Sequence, residues 1–224
     1  MAHMKRTHLA IPAALALALA LPAAAPATLT EVGVLGATTP ATVPSCPGQP
    51  CLALSRTTGF QVKVGSVRNP LSVAKEGRIV AWTVTLAKPT SAQVKYFEAN
   101  EGGIAEAGLA VLAPQPKPNL TYKLVAQSPL VKLAPYFGET AQFPLETTIP
   151  VKKGYVIAIT VPTWAPVLAL GFGNDTSWRA SRTKSECKST STQTSHTQVG
   201  SAVQYYCLYQ TARLTYSATV ISTP

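Results

Sequence analysis

Beyond residue 27 the chain holds one histidine, His196, and one aspartate, Asp175, and that scarcity limits the chemistry it can attempt. A Ser-His-Asp triad would need both, yet His196 sits in a Ser/Thr-rich stretch and no Gly-x-Ser-x-Gly occurs. Catalytic zinc takes three protein ligands, commonly histidine with a carboxylate, and nothing resembles His-Glu-x-x-His. His196 therefore reads as a solvated loop residue and Asp175 as a turn residue after Asn174. Asn174-Asp175-Thr176 offers oxygens to calcium, but one carboxylate is few for a cation that takes about six to eight oxygens. No metal and no cofactor is expected. Glycoside hydrolysis needs two carboxylates across a sugar bond. Among Glu98, Glu101, Glu106, Glu139, Glu146 and Glu186, the pair Glu139 and Glu146 flanks a strand and makes a glycosidase the least unfavourable enzyme.

Binding has better material. Sugar C–H faces stack on aromatic rings, and β-sandwich domains present such rings at loop ends. Trp164, between Thr163 and Ala165-Pro166, and Trp178, between Ser177 and Arg179, fall outside clear strand alternation. Tyr136, beside Phe137 and Gly138, is a third ring, and Arg179 and Arg182 add charge next to Trp178. Exposure and a core plug under a loop remain open alternatives for both tryptophans. Trp82 differs, because it alternates with Val80 and Val84 and belongs in the core.

The elements that must position these residues are nearly all strands. The clearest is Tyr155 to Val161, where Tyr155, Ile157, Ile159 and Val161 share one face and Val156, Ala158 and Thr160 the other. A run apolar on both faces belongs in the middle of a sandwich. Phe60 to Val64, Arg78 to Leu86, Ala107 to Leu112, Tyr122 to Ala126, Val131 to Leu133 and Gln142 to Leu145 are further candidates. Val167 to Phe172, Val203 to Tyr209 and Ala212 to Ile221 complete the set, after a Ser/Thr-rich excursion over 181–201. Val94, Tyr96 and Phe97 fit either a short strand or one helical turn. Repeated short strands between Gly/Pro turns predict an all-β antiparallel β-sandwich, jelly-roll-like, as a single domain over 46–224.

Ahead of it, Lys5 and Arg6 precede an Ala/Leu run and the small residues Ala25-Pro26-Ala27, the order of a secretory signal peptide over 1–27. Residues 28–45, rich in Thr, Ala, Pro and Gly, read as a flexible linker. Export places Cys46, Cys51, Cys187 and Cys207 in an oxidising compartment. Cys46–Cys51 and Cys187–Cys207 are the favoured disulfides, against a four-cysteine zinc site with poor ligand spacing. Removing Lys5 and Arg6 from the 19 basic groups leaves 17 against 9 acidic ones, a charge of +8 spread along the chain. A diffuse positive field favours solubility or polyanions such as wall polymers. No nucleic-acid motif and no transmembrane stretch in the mature chain is apparent.

"GRIVAWTVTL" over 77–86, "GLAVL" over 108–112, "YKLVAQS" over 122–128, Gln142-Phe143 and the strand over 149–159 follow in a recurring order. In that order the chain resembles a group of secreted β-sandwich proteins of high-GC bacteria with no established activity. The resemblance implies the fold and export, and transfers no catalytic residue. The acidic residue usual after the glycine of its "x-V-K-x-G-x-x-I-A/G-I" strand is Tyr155 here. The expectation is thus a secreted or loosely wall-associated, non-catalytic module binding a polysaccharide or anionic wall polymer through Trp164, Trp178, Arg179, Arg182 and Tyr136. A structural or protein-interaction domain without a small ligand is the alternative, and a glycosidase the next.

Overall fold

A computed structural model describes residues 27–33, 40–189 and 193–222. The expected leader falls outside these apart from its last residue. In chain order come β1 (Leu29–Val32), β2 (Leu54–Val64), β3 (Val67–Arg68), β4 (Gly77–Thr85) and the helix α1 (Ser91–Asn100). Next are β5 (Glu106–Pro114), β6 (Thr121–Gln127), β7 (Val131–Lys132), β8 (Thr140–Val151) and β9 (Val156–Ala165). The chain continues through β10 (Leu168–Leu170), β11 (Ser177–Ala180), β12 (Ala202–Gln204), β13 (Cys207–Gln210), β14 (Ala212–Leu214) and β15 (Tyr216–Ser222).

These strands form an antiparallel β-sandwich, as the alternation predicts. One sheet runs β1-β15-β4-β8 and the larger runs β12-β6-β5-β9-β2-β11-β13, with β3 added to β2, β7 to β5, and β10 paired to β14. β9 has three strands on either side. Its Ile157, Ala158, Ile159, Thr160 and Val161 are all buried, so both faces are covered. Opposite it, β4 and β15 contribute Ile79, Trp82, Val84, Tyr216, Ala218 and Val220 to the same core. Trp82 is fully buried, in agreement with its alternation.

Tyr216 ties the layers together. Its ring is buried, and its hydroxyl crosses to the larger sheet, 3.0 Å from the Ile157 carbonyl and 3.3 Å from that of Gly59. Burial raises the phenol's pKa well above its ordinary value, so it stays a neutral donor.

Three expectations change. The linker reading fails over 29–32, because β1 pairs in register with β15 from Leu29↔Ile221 to Val32↔Ala218. Val32 packs on the core, and Ser217 and Thr219 both donate hydroxyl hydrogen bonds to the Glu31 carboxylate. A single acidic residue in a bland stretch thus anchors an edge strand. Further along the same stretch, Thr42 donates its N–H to the Leu168 carbonyl.

The ambiguous segment after Thr90 is a helix. Thr90 and Gln93 form a reciprocal capping box, which satisfies N–H groups the first turn leaves unpaired. Its buried residue, Phe97, stacks on Trp164 with ring centroids 4.5 Å apart. The third change is the closing strand over 203–209, which is broken. Tyr205 leaves the ladder to bury its ring against Phe60 and Tyr122, dividing the segment into β12 and β13.

Replacing Tyr216 by Phe keeps the ring and removes the cross-sheet hydrogen bond. The expected cost is about 1–2 kcal/mol of unfolding free energy, read as a lower urea midpoint with an unchanged slope.

Candidate functional site

β2 holds its regular ladder against β9 only as far as Thr57. Between Ser55 and Thr57 the register shifts, and Arg56 takes φ 40°, a left-handed conformation costly for a side chain with a Cβ. Pro162 of β9, which has no N–H to give a ladder, lies at the same break. The irregularity opens one end of the sandwich, and a cleft of about 660 Å³ occupies it.

Two disulfide-closed loops bound that cleft. Cys46 and Cys51 are bonded, and so are Cys187 and Cys207, with Cα separations of 4.5 and 5.2 Å. The pairings are those favoured from sequence, and the zinc alternative is excluded. Gln49, Pro50 and Leu52 of the first loop line the cleft, as do Lys188 and Gln193 near the second. Tyr96 of α1 and Glu101 just beyond it close another side.

The floor comes from β11 and β13. Trp178 pairs with Tyr209 across the two strands, and their rings lie 4.7 Å apart. Trp178 is 7% exposed. Its six-membered ring lies over Gly59, where an added Cβ would come within 3.0 Å of Cε3 and Cζ3. Glycine is needed there for space. Arg182, also buried, donates from Nη1 to the Tyr209 hydroxyl at 3.0 Å and to the Ser189 carbonyl at 3.3 Å. Burial lowers the guanidinium's pKa first, and Arg56 lowers it further, against Tyr209 and Glu186, which raise it. Glu101, the cleft's carboxylate, accepts from Arg56 Nε at 3.1 Å.

Of the residues expected to bind, Trp178 and Arg182 meet in this cleft and the others do not. Trp164 is a correction: it is fully buried, stacked on Phe97, and its Nε1 donates to the Gly103 carbonyl at 3.0 Å. It belongs to β9 and plugs the core under α1, so it has no free face. Arg179 neighbours Trp178 on β11 and points to the opposite face of the sheet. There its Nη1 donates to the carbonyls of Tyr205 and Tyr206, at 3.2 and 2.6 Å. Tyr136 lies in a 3-10 turn, edge-on to Phe143 at 5.1 Å, away from the cleft.

Glu139 and Glu146 are both exposed and neither lines the cleft. Thr140 faces Thr85 and Ile149 faces Ile79 on β4, which puts the two carboxylates on the order of 15 Å of strand apart. That exceeds the spacing for glycoside hydrolysis, about 5–9.5 Å. Asp175 is exposed, and among the described residues no three His, Cys, Asp or Glu side chains gather as a metal site.

His196 is the second correction, since it is buried rather than solvated. Its N–H donates to Thr58 Oγ1 at 2.9 Å, and its ring nitrogens lie 3.1 Å from the Tyr205 hydroxyl and 2.9 Å from Ser201 Oγ. Ser181 Oγ accepts from the Thr58 N–H and donates to the Thr194 carbonyl. Gln193 donates its amide to the Ser55 carbonyl at 2.9 Å. The described part of the Ser/Thr-rich excursion is therefore nailed to β2, and it holds Gln193 at the cleft. Composition suggested a loose loop because serine and threonine satisfy one another only once the chain is folded back.

Comparison of the chain with protein-family models, curated proteins and solved structures found no match. No helix among the described residues is long and apolar enough to cross a membrane.

Burial lowers the pKa of His196 from its ordinary 6.5, partly offset by the Ser201 backbone hydrogen bond. In this case the unfolded chain takes up a proton that the folded chain refuses. The stability contribution is fully present above the unfolded pKa of about 6.5 and is lost as pH falls from there through the lowered folded value. Melting temperatures between pH 7.5 and 5.5 should fall, and His196→Gln should flatten the slope in that window.

Proposed function

We propose that the chain is an exported, non-catalytic binding module that takes a glycan in the cleft between the two disulfide-closed loops. The observation that carries this reading is the meeting of three rings, Trp178, Tyr209 and Tyr96, with the planar polar side chains of Gln49, Gln193 and Gln210 around one cavity. Rings take the C–H faces of a sugar, and amide groups pair with its hydroxyls at adjustable angles. The volume falls in the range of small-molecule sites, roughly 300–1,000 Å³. Strain supports the same place: of the four non-glycine residues with positive φ among the described residues, Thr211 lines the cleft and Arg56 pairs with its Glu101. The leader-like N-terminus and two disulfides, bonds that persist in oxidising compartments, support export.

Retention on insoluble cell-surface polysaccharides tests the reading. The wild-type protein is expected to be retained by at least one of them. Tyr96→Ala, which removes a half-buried ring on α1, should weaken that retention by up to about tenfold. Failure to bind any polysaccharide would overturn the reading in favour of a structural or protein-interaction domain.

A further inference from the structure

Among the described residues four buried side-chain polar atoms have no hydrogen-bond partner: Thr57 Oγ1, Thr121 Oγ1, Trp178 Nε1 and Arg182 Nε. Three of the four belong to residues lining the cleft, and those residues are only 2%, 7% and 7% exposed. Native interiors rarely leave such atoms unpaired, and three of these four belong to residues around one cleft, just beneath its surface. The chemistry of the set is one-sided. An indole N–H and a guanidinium N–H can only donate, and a threonine hydroxyl donates as readily as it accepts. Whatever completes this wall brings acceptor oxygens.

Charge narrows the choice. The Nη1 partners of Arg182, the Tyr209 hydroxyl and the Ser189 carbonyl, are both neutral, and Arg182 forms no ion pair among the described residues. Glu186, the nearest acid in sequence, is engaged with the N–H and hydroxyl of Thr183. Across the cleft Glu101 is already matched by Arg56. Lys188, exposed on the rim, adds a second cation that forms no ion pair among the described residues. A neutral sugar would satisfy the donors and leave the half-desolvated guanidinium with only the field of Glu186 beyond ion-pair distance, whereas an anion meets it directly.

We propose that this wall seats an oxyanion carried by the glycan, a uronate carboxylate or a sugar phosphate, against Arg182, Trp178 and Thr57. The inference rests on the glycan-binding reading above. Arg182 meets the charge through Nε, the Trp178 indole N–H takes a second oxygen, and Lys188 draws the acidic ligand in from the rim.

Calorimetric titration with three probes tests it: tetragalacturonate, its fully methyl-esterified form, and poly(glycerol phosphate). The first two differ at the carboxyl groups, charged in one and capped as neutral methyl esters in the other, and the third separates phosphate from carboxylate as the source. The wild-type protein is expected to bind the acid at least tenfold more tightly than the ester, or to bind the phosphate polymer, with affinity falling as salt is added. Arg182→Gln should collapse the acid-to-ester ratio towards one. Lys188→Ala, at an exposed position that does not threaten folding, should weaken the acidic ligand several-fold. Trp178→Phe should weaken it as well, with melting curves confirming a folded protein in each case. Equal affinity for acid and ester without phosphate binding, or a preference that survives Arg182→Gln, overturns the oxyanion seat. So does failure of both acidic polymers to bind. In each of these cases retention on neutral polysaccharides decides the module reading separately.

Discussion

Burial of β9 on both faces is the constraint on which the rest of the structure depends. A strand with Ile157, Ala158, Ile159 and Val161 all excluded from water must be paired along both edges and covered on both sides. That requirement sets β5 and β2 beside it and brings the β4–β15 layer across it. Tyr216 converts the contact between layers from oil against oil into a fixed alignment, since its hydroxyl reaches two carbonyls of the facing sheet. A buried hydroxyl that must find a carbonyl permits one arrangement where apolar contact alone would tolerate several.

The cleft lies where that regularity ends. Arg56 and Pro162 mark a break in the β2–β9 ladder, and a second register shift separates Ser177 from Trp178 where β11 meets β2. Such breaks re-aim side chains and are common beside functional sites. The segments that close over the gap have little apolar content to hold them. Disulfides do so for the Cys46–Cys51 and Cys187–Cys207 loops, and the hydrogen bonds of Thr58, Ser181 and His196 do so for the polar excursion. Loop ends held by disulfides and hydrogen bonds before a ligand arrives would lower the ordering cost of capturing it.

Much of the fold was legible in the sequence, and much less of the site. Alternation placed Trp82 and β9 correctly because period-two patterning survives wherever a strand is regular. It misplaced the inward side of β4 near its start, where Ile79 is buried and Val80 only partly so. A bulge between Ile79 and Ala81 shifts the phase by one residue there, and such a slip carries no signal in composition. α1 stayed ambiguous in the sequence because it has no apolar stripe, Phe97 being its buried residue, and its start is marked instead by the Thr90–Gln93 capping box that the structure shows. Trp178 and Arg182, singled out as a ring outside strand alternation beside cations, line the cleft, whereas Trp164, singled out for its lack of alternation alone, belongs to the core. Tyr96, Tyr209 and Thr57 were missed. The Trp178↔Tyr209 partnership exists only after β11 and β13 pair, and Tyr96 approaches only once α1 has docked.

The proposed ligand meets the wall containing Trp178 and Arg182. The chain has three tryptophans, and each gives its own indole N–H signal in a ¹H–¹⁵N spectrum. Titration with an acidic oligosaccharide should shift the Trp178 resonance progressively and leave those of the buried Trp82 and Trp164 nearly still. A shift confined to Trp82 or Trp164, or no shift in any of the three at saturating ligand, would contradict the account.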